Sequence, residues 1–406
     1  MPARVIVEDD LRRSRVTVFF RLLLCIPHFV WFALWTVVAL LAGIANWVAT
    51  LALGRPPSAL YRFLSAYLRY STHLNAFLFL AANPFPGFTG RPESYPVDLE
   101  IAPLARQHRL KTLFRIFLAL PALIMSNERT PGASSIRTTV AFLGWFAALA
   151  TGRMPQGFRN GAAWGIGYGA QVGAYLFVLS DRYPNSDPHA TGILGIQPAH
   201  PVRLRVDDDL RRSRVTVFFR VLLFVPHYVW LVLWGIVVAV AAVLNWFATL
   251  AIGRSPAAFH RFISAYFRYA THAFAFLTLI GNPFPGFLGR PGSYPIDLEI
   301  DGPERQHRLK TLFRLFLALP ALAANAALSG ALFVAAFLGW FATLVTGRMP
   351  MGFRNVGAWA LRYSAQVNAY VYLLTDRYPY SGPEAGEPEA PEPEPTEPEA
   401  LEPLPA

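Results

Sequence analysis

The segment Val16-Thr17-Val18-Phe19-Phe20-Arg21 recurs as Val215-Thr216-Val217-Phe218-Phe219-Arg220, and Arg106 to Arg115 recurs unchanged as Arg305 to Arg314, both at an offset of 199 residues. Duplication on this scale constrains the fold more than any local propensity, because both halves must build the same supersecondary unit. A fainter repeat lies inside each half. Phe20-Arg21 followed by Pro27 matches Phe114-Arg115 followed by Pro121, and Trp47 before Gly54-Arg55-Pro56-Pro57 matches Trp145 before Gly152-Arg153-Met154-Pro155. The Gly-Arg-x-Pro signature returns at Gly253-Arg254-Ser255-Pro256 and Gly347-Arg348-Met349-Pro350. Four units follow, 1–95, 96–199, 200–294 and 295–381, with 382–406 as a tail.

Each unit reads as a short strand, a basic lead-in, a long apolar stretch, a tight turn and a second apolar stretch. Leu22 to Leu53 contains no Asp, Glu, Lys or Arg. As a helix it rises about 48 Å, more than the roughly 30 Å hydrocarbon core requires. The surplus is expected around Pro27, where a helix kinks. The hairpin turns are assigned to Gly54, Arg55 and Pro57, to Gly152, Arg153 and Pro155, to Gly253, Arg254 and Pro256, and to Gly347, Arg348 and Pro350, and Ser58 to Ala82 reads as the second helix of its hairpin. At 54% hydrophobic and 15% charged residues the chain is unlike a soluble domain. The expected fold is an all-α polytopic integral membrane protein of tandem helical hairpins, nominally eight transmembrane helices, with short cytoplasmic β-strands. Unit two departs from the scheme, because the polar stretch Ser126 to Arg137 leaves only short apolar pieces on either side and suggests a re-entrant or interfacial first segment.

The net charge of +11 hides an asymmetry. The tail holds eight Glu and no Lys or Arg, so removing its −8 leaves +19 on the rest. With eight Pro and almost no apolar residues, that tail is expected to be disordered. Of the 36 Lys and Arg, termini and linkers hold 23 and the hairpin tips eight. The positive-inside rule then places the linkers and both termini in the cytoplasm, with the chain multi-pass in the cell (plasma) membrane. Met1 to Asp10 has no signal-peptide pattern. A single cysteine, Cys25, excludes an intrachain disulfide and a thiolate metal cluster. The basic residues are almost all Arg, which suits phosphate, and they crowd the span ends where anionic lipid supplies it. The expected partners are anionic membrane lipids, with a second copy of the chain or another membrane protein also open, and not nucleic acid.

Alternation in Val97-Asp98-Leu99-Glu100-Ile101, Val202-Arg203-Leu204-Arg205-Val206 and Ile296-Asp297-Leu298-Glu299-Ile300, with Val5-Ile6-Val7 a weaker relative, predicts half-buried strands. Pairing the basic strand beside an acidic one sets opposite charges across the ladder. One small cytoplasmic sheet with a strand from each unit, or four separate strands, are the two arrangements open.

Candidate functional residues lie on the second helices. Arg62, Arg69 and His73 fall on one stripe at i, i+7, i+11, repeated by Arg261, Arg268 and His272. If the helix spans perpendicular to the bilayer, Arg69 sits about 20 Å inside, and an arginine at that depth is a functional-site hypothesis by default. The apolar runs contain no acid to neutralise it. The stripe therefore binds anionic headgroups or another anion, pairs with carbonyls and linker acids, or lies at the interface in water. Gly161, Gly165, Gly169 and Gly173 form a four-residue period that permits close helix packing. His28, His108 and His73, with copies His227, His307 and His272, lack metal-ligand spacing and read as solvated or interfacial. No nucleotide-binding loop, nucleophile elbow or metalloprotease motif is present, so an enzyme, a catalytic residue, a cofactor and a metal are not expected. The function expected is a non-enzymatic lipid-engaging scaffold or assembly component. The alternative is a transporter or channel for a small anionic solute, with its path between the repeated halves.

Ser94-Tyr95-Pro96-Val97-Asp98-Leu99-Glu100-Ile101, then Arg106 to Arg115, Phe117-Leu118-Ala119-Leu120-Pro121, Gly152-Arg153-Met154-Pro155, Ala174-Tyr175-Leu176 and Asp181-Arg182-Tyr183-Pro184 resemble bacterial membrane proteins grouped as domain of unknown function 4389. The likeness covers nearly the whole chain except the tail. Asn83-Pro84-Phe85-Pro86 and Asn282-Pro283-Phe284-Pro285 depart from the Asp-Arg-Tyr-Pro ending. The resemblance implies an integral membrane protein and carries no activity, substrate or site residue with it.

Overall fold

The computed structural model describes residues 3–127, 129–191 and 199–384. Each unit contributes a long apolar helix followed by a helix of 21 residues. These are α1 (Ile26–Leu53) and α2 (Ser58–Leu78), α3 (Ala133–Thr151) and α4 (Gln156–Leu176), α5 (Arg220–Ile252) and α6 (Ala257–Leu277), and α7 (Arg314–Thr346) and α8 (Met351–Val371). The strands are β1 (Ala3–Val7), β2 (Val97–Ile101), β3 (Val202–Val206) and β4 (Ile296–Ile300).

The hairpin turns form where the sequence places them. Gly54, Gly152, Gly253 and Gly347 end the long helices in the left-handed conformation at φ 71–79°, which any Cβ would strain. Pro57, Pro155, Pro256 and Pro350 then cap the second helices. In unit one the helix breaks at Cys25, two residues before Pro27, whereas α5 and α7 run through Pro226 and Pro320. The polar insertion of unit two separates Leu120–Ser126 from α3, but α3 begins at Ala133 and reaches 19 residues.

Four helices, α1, α3, α5 and α7, are long and apolar enough to cross a membrane. The second helices, expected to supply four further spans, do not meet that measure. They carry Arg, His, Asn and Gln and lie sandwiched, with α1 against α2, α3 against α4, α5 against α6 and α7 against α8 on one side. On their other side sit the strands: β2 on α2, β1 on α4, β4 on α6 and β3 on α8. The architecture is therefore three layers, apolar helices, polar helices and strands. The outer helices are bare, since only 11% of the most apolar window of α1 and 17% of that of α5 is buried, against 39% and 44% for α3 and α7, which pack on each other.

The strands form two antiparallel pairs, β1 with β2 and β3 with β4, not one sheet. Each strand pairs with that of its sister unit in the same half. The basic third strand does lie beside an acidic one, Arg203 opposite Glu299 and Arg205 opposite Asp297. The halves meet at Trp164 and Trp359, equivalent positions on α4 and α8, whose rings stand edge to face at 5.2 Å. Their indole N–H groups donate to Ser186 O at 3.2 Å and Ser381 O at 3.1 Å. The C-terminal loop of the second half crosses over to the first, where Asn160 Nδ2 donates to the Tyr380 hydroxyl at 3.1 Å. Of the acidic tail, 385–406 lies outside the described residues.

Candidate functional site

The two units of a half run head to tail. Arg13 N donates to Gly152 O and Met154 N to Leu11 O, so the lead-in of unit one is laced to the turn of unit two. Gln107 N donates to Gly54 O, lacing the lead-in of unit two to the turn of unit one. The second half repeats this with Arg212 to Gly347, Met349 to Leu210 and Gln306 to Gly253. The expected separation of basic lead-ins from hairpin tips is therefore not found, because every lead-in shares an end of the molecule with a tip.

This lacing sets arginines directly opposite one another, Arg12 with Arg153, Arg211 with Arg348 and Arg254 with Arg305. Like charges across a bridge repel. All six are exposed, and among the described residues only Arg12 has a carboxylate within ion-pair distance, Asp10 at 3.9 Å. At each of the four turns, the first arginine of a short lead-in helix (Arg15–Phe19, Arg109–Leu113, Arg214–Phe218 or Arg308–Leu312) caps the carbonyl end of the sister unit's long helix. Arg15 reaches Ala150 O at 3.1 Å, Arg109 Ala52 O at 2.9 Å, Arg214 Val345 O at 2.9 Å and Arg308 Ala251 O at 2.8 Å. A cation there also opposes the negative end of the helix dipole. Next to these arginines the lead-ins expose Val16, Phe19, Phe20 and Leu22 and their counterparts, which join the bare surface of α1 and α5.

Other arginines are buried, and one in each unit gathers carbonyls. Arg21, Arg115, Arg220 and Arg314 each receive the carbonyls that end their own unit's second helix. Arg21 donates to Phe77 O and to Ala82 O, Arg115 to Tyr175 O and Ser180 O, Arg220 to Phe276 O and Gly281 O, and Arg314 to Tyr370 O and Thr375 O. Leu80, Val178, Leu279 and Leu373 take the left-handed conformation at these ends, which turns the carbonyls inward. The charge balance alternates between units. Arg115 and Arg314 pair with Asp181 and Asp376 at 3.0 and 2.8 Å, whereas Arg21 and Arg220 meet Asn83 and Asn282 at 3.3 and 3.4 Å. In units one and three the acid instead serves a further arginine, Asp9 with Arg13 at 2.8 Å and Asp208 with Arg212 at 2.6 Å. Burial, with the Arg13 charge behind it, pushes the Arg21 guanidinium down to about 10.

The helix stripe closes on the strands. His73 Nε2 stands 2.6 Å from Asp98 Oδ1, and Arg69 Nε donates to Leu99 O at 3.1 Å with Asp98 at 3.7 Å. In the second half His272 meets Asp297 at 2.8 Å and Arg268 donates to Leu298 O at 2.8 Å. For Arg69, His73, Arg268 and His272, pairing with carbonyls and linker acids is the arrangement present. Burial alone would raise the Asp98 carboxyl, but hydrogen bonds from His73 and from the Glu93 and Leu99 N–H groups hold it below its ordinary value. Burial pushes His272 down from its ordinary value despite Asp297. Arg62 and Arg261, one turn from the tips, are exposed and do not join these clusters. Nor do the clusters meet each other, for each closes on a strand of its own half.

His28 and His227 are buried, not solvated: their Nδ1 atoms lie 2.9 and 2.7 Å from the Tyr70 and Tyr269 hydroxyls. His73 and His272 are buried too, while His108 and His307 are exposed. The glycines of α4 meet different neighbours. A Cβ on Gly161 would touch Val140, one on Gly165 would come within 2.8 Å of Ala133 O, one on Gly173 within 2.7 Å of Leu68, and one on Gly169 would meet nothing. Sequence reasoning missed the head-to-tail lacing, and it left pairing with linker acids as one of three arrangements without singling out Asp98 and Asp297; the available signal was an acid at the second position of two strands, opposite a helix stripe without one.

The family model described as a domain of unknown function (DUF4389) matches residues 15–89, 109–186, 214–288 and 308–381, more than half of the chain. The chain belongs to this family. Each DUF4389 match contains one of the buried arginines Arg21, Arg115, Arg220 and Arg314, one long helix, one Gly-Arg-x-Pro turn and one second helix, and leaves the strands outside. No curated protein and no solved structure matches.

Proposed function

We propose that this DUF4389 protein is a non-enzymatic, lipid-engaging component of the plasma membrane, a scaffold or assembly factor held on anionic lipid with both termini on the cytoplasmic side. The observation that carries the reading is the set of opposed arginines beside a bare apolar layer. Exposed opposed arginines, of which only Arg12 has a carboxylate at ion-pair distance among the described residues, are relieved when an anion sits between them, and Arg matches phosphate bidentately. Leu, Phe and Val side chains next to them require hydrocarbon. A lipid molecule offers both, an anionic headgroup and acyl chains. Arg69 and Arg268 are not the lipid ligands in this reading, since their partners are in the strands.

The test is reconstitution of the full chain in nanodiscs of neutral lipid and of neutral lipid with anionic phosphatidylglycerol, reading the melting temperature by intrinsic fluorescence. Anionic lipid is expected to raise it by several degrees, and Arg12→Gln, Arg153→Gln, Arg211→Gln and Arg348→Gln together to remove most of that rise. Equal melting in both lipids would overturn the reading. Protein-dependent uptake of a small anion such as phosphate into proteoliposomes would favour a transporter instead.

A further inference from the structure

We infer that the protein lies in the plane of the membrane, its apolar layer sunk into one leaflet, and does not span the bilayer. The inference rests on the lipid-engaging reading above and adds the orientation and sidedness of the contact.

The three layers overlap along the helix axes. Helix α2 runs back along α1, with Thr36 Oγ1 2.8 Å from the Tyr67 hydroxyl and His28 2.9 Å from that of Tyr70. Strand β2 in turn runs back along α2, Asp98 at His73, Leu99 at Arg69 and the Ala102 carbonyl at the Tyr61 hydroxyl. The strands therefore stand beside the body of the apolar helices, not beyond their ends. The second half has the same register, with Asp297 at His272 and Leu298 at Arg268.

Standing α1 and α5 upright in a bilayer would carry the strands to hydrocarbon depth. Their outer ladder is charged and about half exposed, Arg4 with Glu100 and Arg203 with Glu299 and Asp301. A two-stranded sheet also has two edges of unpaired backbone. Hydrocarbon tolerates neither an open sheet edge nor a row of exposed charges. Laying the molecule flat removes both conflicts: the apolar layer faces the acyl chains and the charged ladder faces water.

The distribution of basic residues leads to the same orientation independently. In the first half, one end of the layer exposes Arg12, Arg15 and Arg153, and the other Arg55, Arg106, Arg109 and Lys111. A spanning protein loads its cytoplasmic end preferentially. Loading of both ends, three basic residues at one and four at the other, is what two ends at the same headgroup level require, with phosphates available to both.

Sidedness tests this directly. In the full chain with Cys25→Ala, single cysteines are placed at exposed Ser58, beside the turn of unit one, at exposed Thr151, beside the turn of unit two, and at exposed Glu100 on the ladder, and probed with a membrane-impermeant maleimide in intact and permeabilised cells. All three are expected to react from one side only. Because the lacing puts the two turns at opposite ends of the layer, spanning helices would label Ser58→Cys and Thr151→Cys from opposite sides, and that result overturns the inference. Depth is the second measurement. Fluorophores at exposed Val30, Leu41 and Val48 of α1 are expected to be quenched alike by doxyl lipids of a given depth, whereas quenching at Leu41 by the deepest probe, well above that at the two ends, would mean that α1 crosses. Labelling from opposite sides with the anionic-lipid stabilisation intact defeats the orientation alone. One-sided labelling without that stabilisation defeats the lipid reading and leaves the orientation standing.

Discussion

Arg115 meets Asp181 at 3.0 Å, and the equivalent arginine of the sister unit, Arg21, meets Asn83 at 3.3 Å. The same guanidinium at the same helix end thus has an ionic partner in one unit and a neutral one in the other. Removing one member of a buried pair leaves a charge without compensation, at a cost of up to about 3–5 kcal/mol when both partners are fully buried. Asp181 is partly solvated, and Asn keeps one hydrogen bond, so Asp181→Asn is expected to destabilise by about 2 kcal/mol. Thermal melting in a mild detergent reads this as a drop of several degrees.

The reverse change is expected to help unit one. Asp9 and Arg13 cancel, leaving Arg21 as a surplus buried charge held by carbonyls and Asn83. Asn83→Asp supplies the missing carboxylate where an acceptor already stands, and a charge-assisted hydrogen bond is roughly twice as strong as a neutral one. A gain of about 1 kcal/mol is expected in the same melting assay. A loss would mean that the Asn83 amide N–H, not its carbonyl, is the group unit one requires.

The units, the apolar helices, the turns and the strands were legible because each depends on local pattern: offset identity, charge-free length, Gly-Arg-x-Pro chemistry and period two. So was the complementarity of Arg203 and Glu299, since strand faces follow from alternation alone. What was not legible is which surface each face meets. The stripe of Arg69 and His73 has helical spacing whether its partner is a lipid, a cavity or a strand, and the acid that answers it, Asp98, lies 25 residues beyond His73. The apparent depth of Arg69 came from assuming an upright helix. The head-to-tail lacing was hidden for the same reason, because backbone N–H and C=O groups of Arg13 and Gly152 carry no side-chain signature.

The glycine period on α4 mixes two physical situations. At Gly165 a methyl group would stand 2.8 Å from Ala133 O and 2.9 Å from Arg137 Cβ on α3, so Gly165→Ala must push the helices apart and is expected to cost about 1–3 kcal/mol. At Gly169 nothing lies within 4 Å, and Gly169→Ala is expected to stabilise by about 0.5–1 kcal/mol through helix propensity. Opposite signs for two glycines four residues apart are the outcome that separates close packing from composition, and melting of the two variants checks it.

Acid should weaken the fold through His200. Its ring is buried, and Nδ1 accepts the Val202 N–H at 3.1 Å at the start of β3. Burial, with the Arg362 and Arg377 charges beside it, pushes it down to about 4, against the Val202 carbonyl, to which Nδ1 could donate only when protonated. In the unfolded chain the ring titrates near its ordinary 6.5, so between these values the unfolded state binds the extra proton and stability falls as pH falls. From pH 7 to pH 5 this one group removes on the order of 2 kcal/mol. His200→Asn keeps an acceptor for the Val202 N–H but cannot titrate. Its melting temperature is expected to fall less than that of the unsubstituted chain over this interval; an equal fall would place the acid sensitivity in other groups.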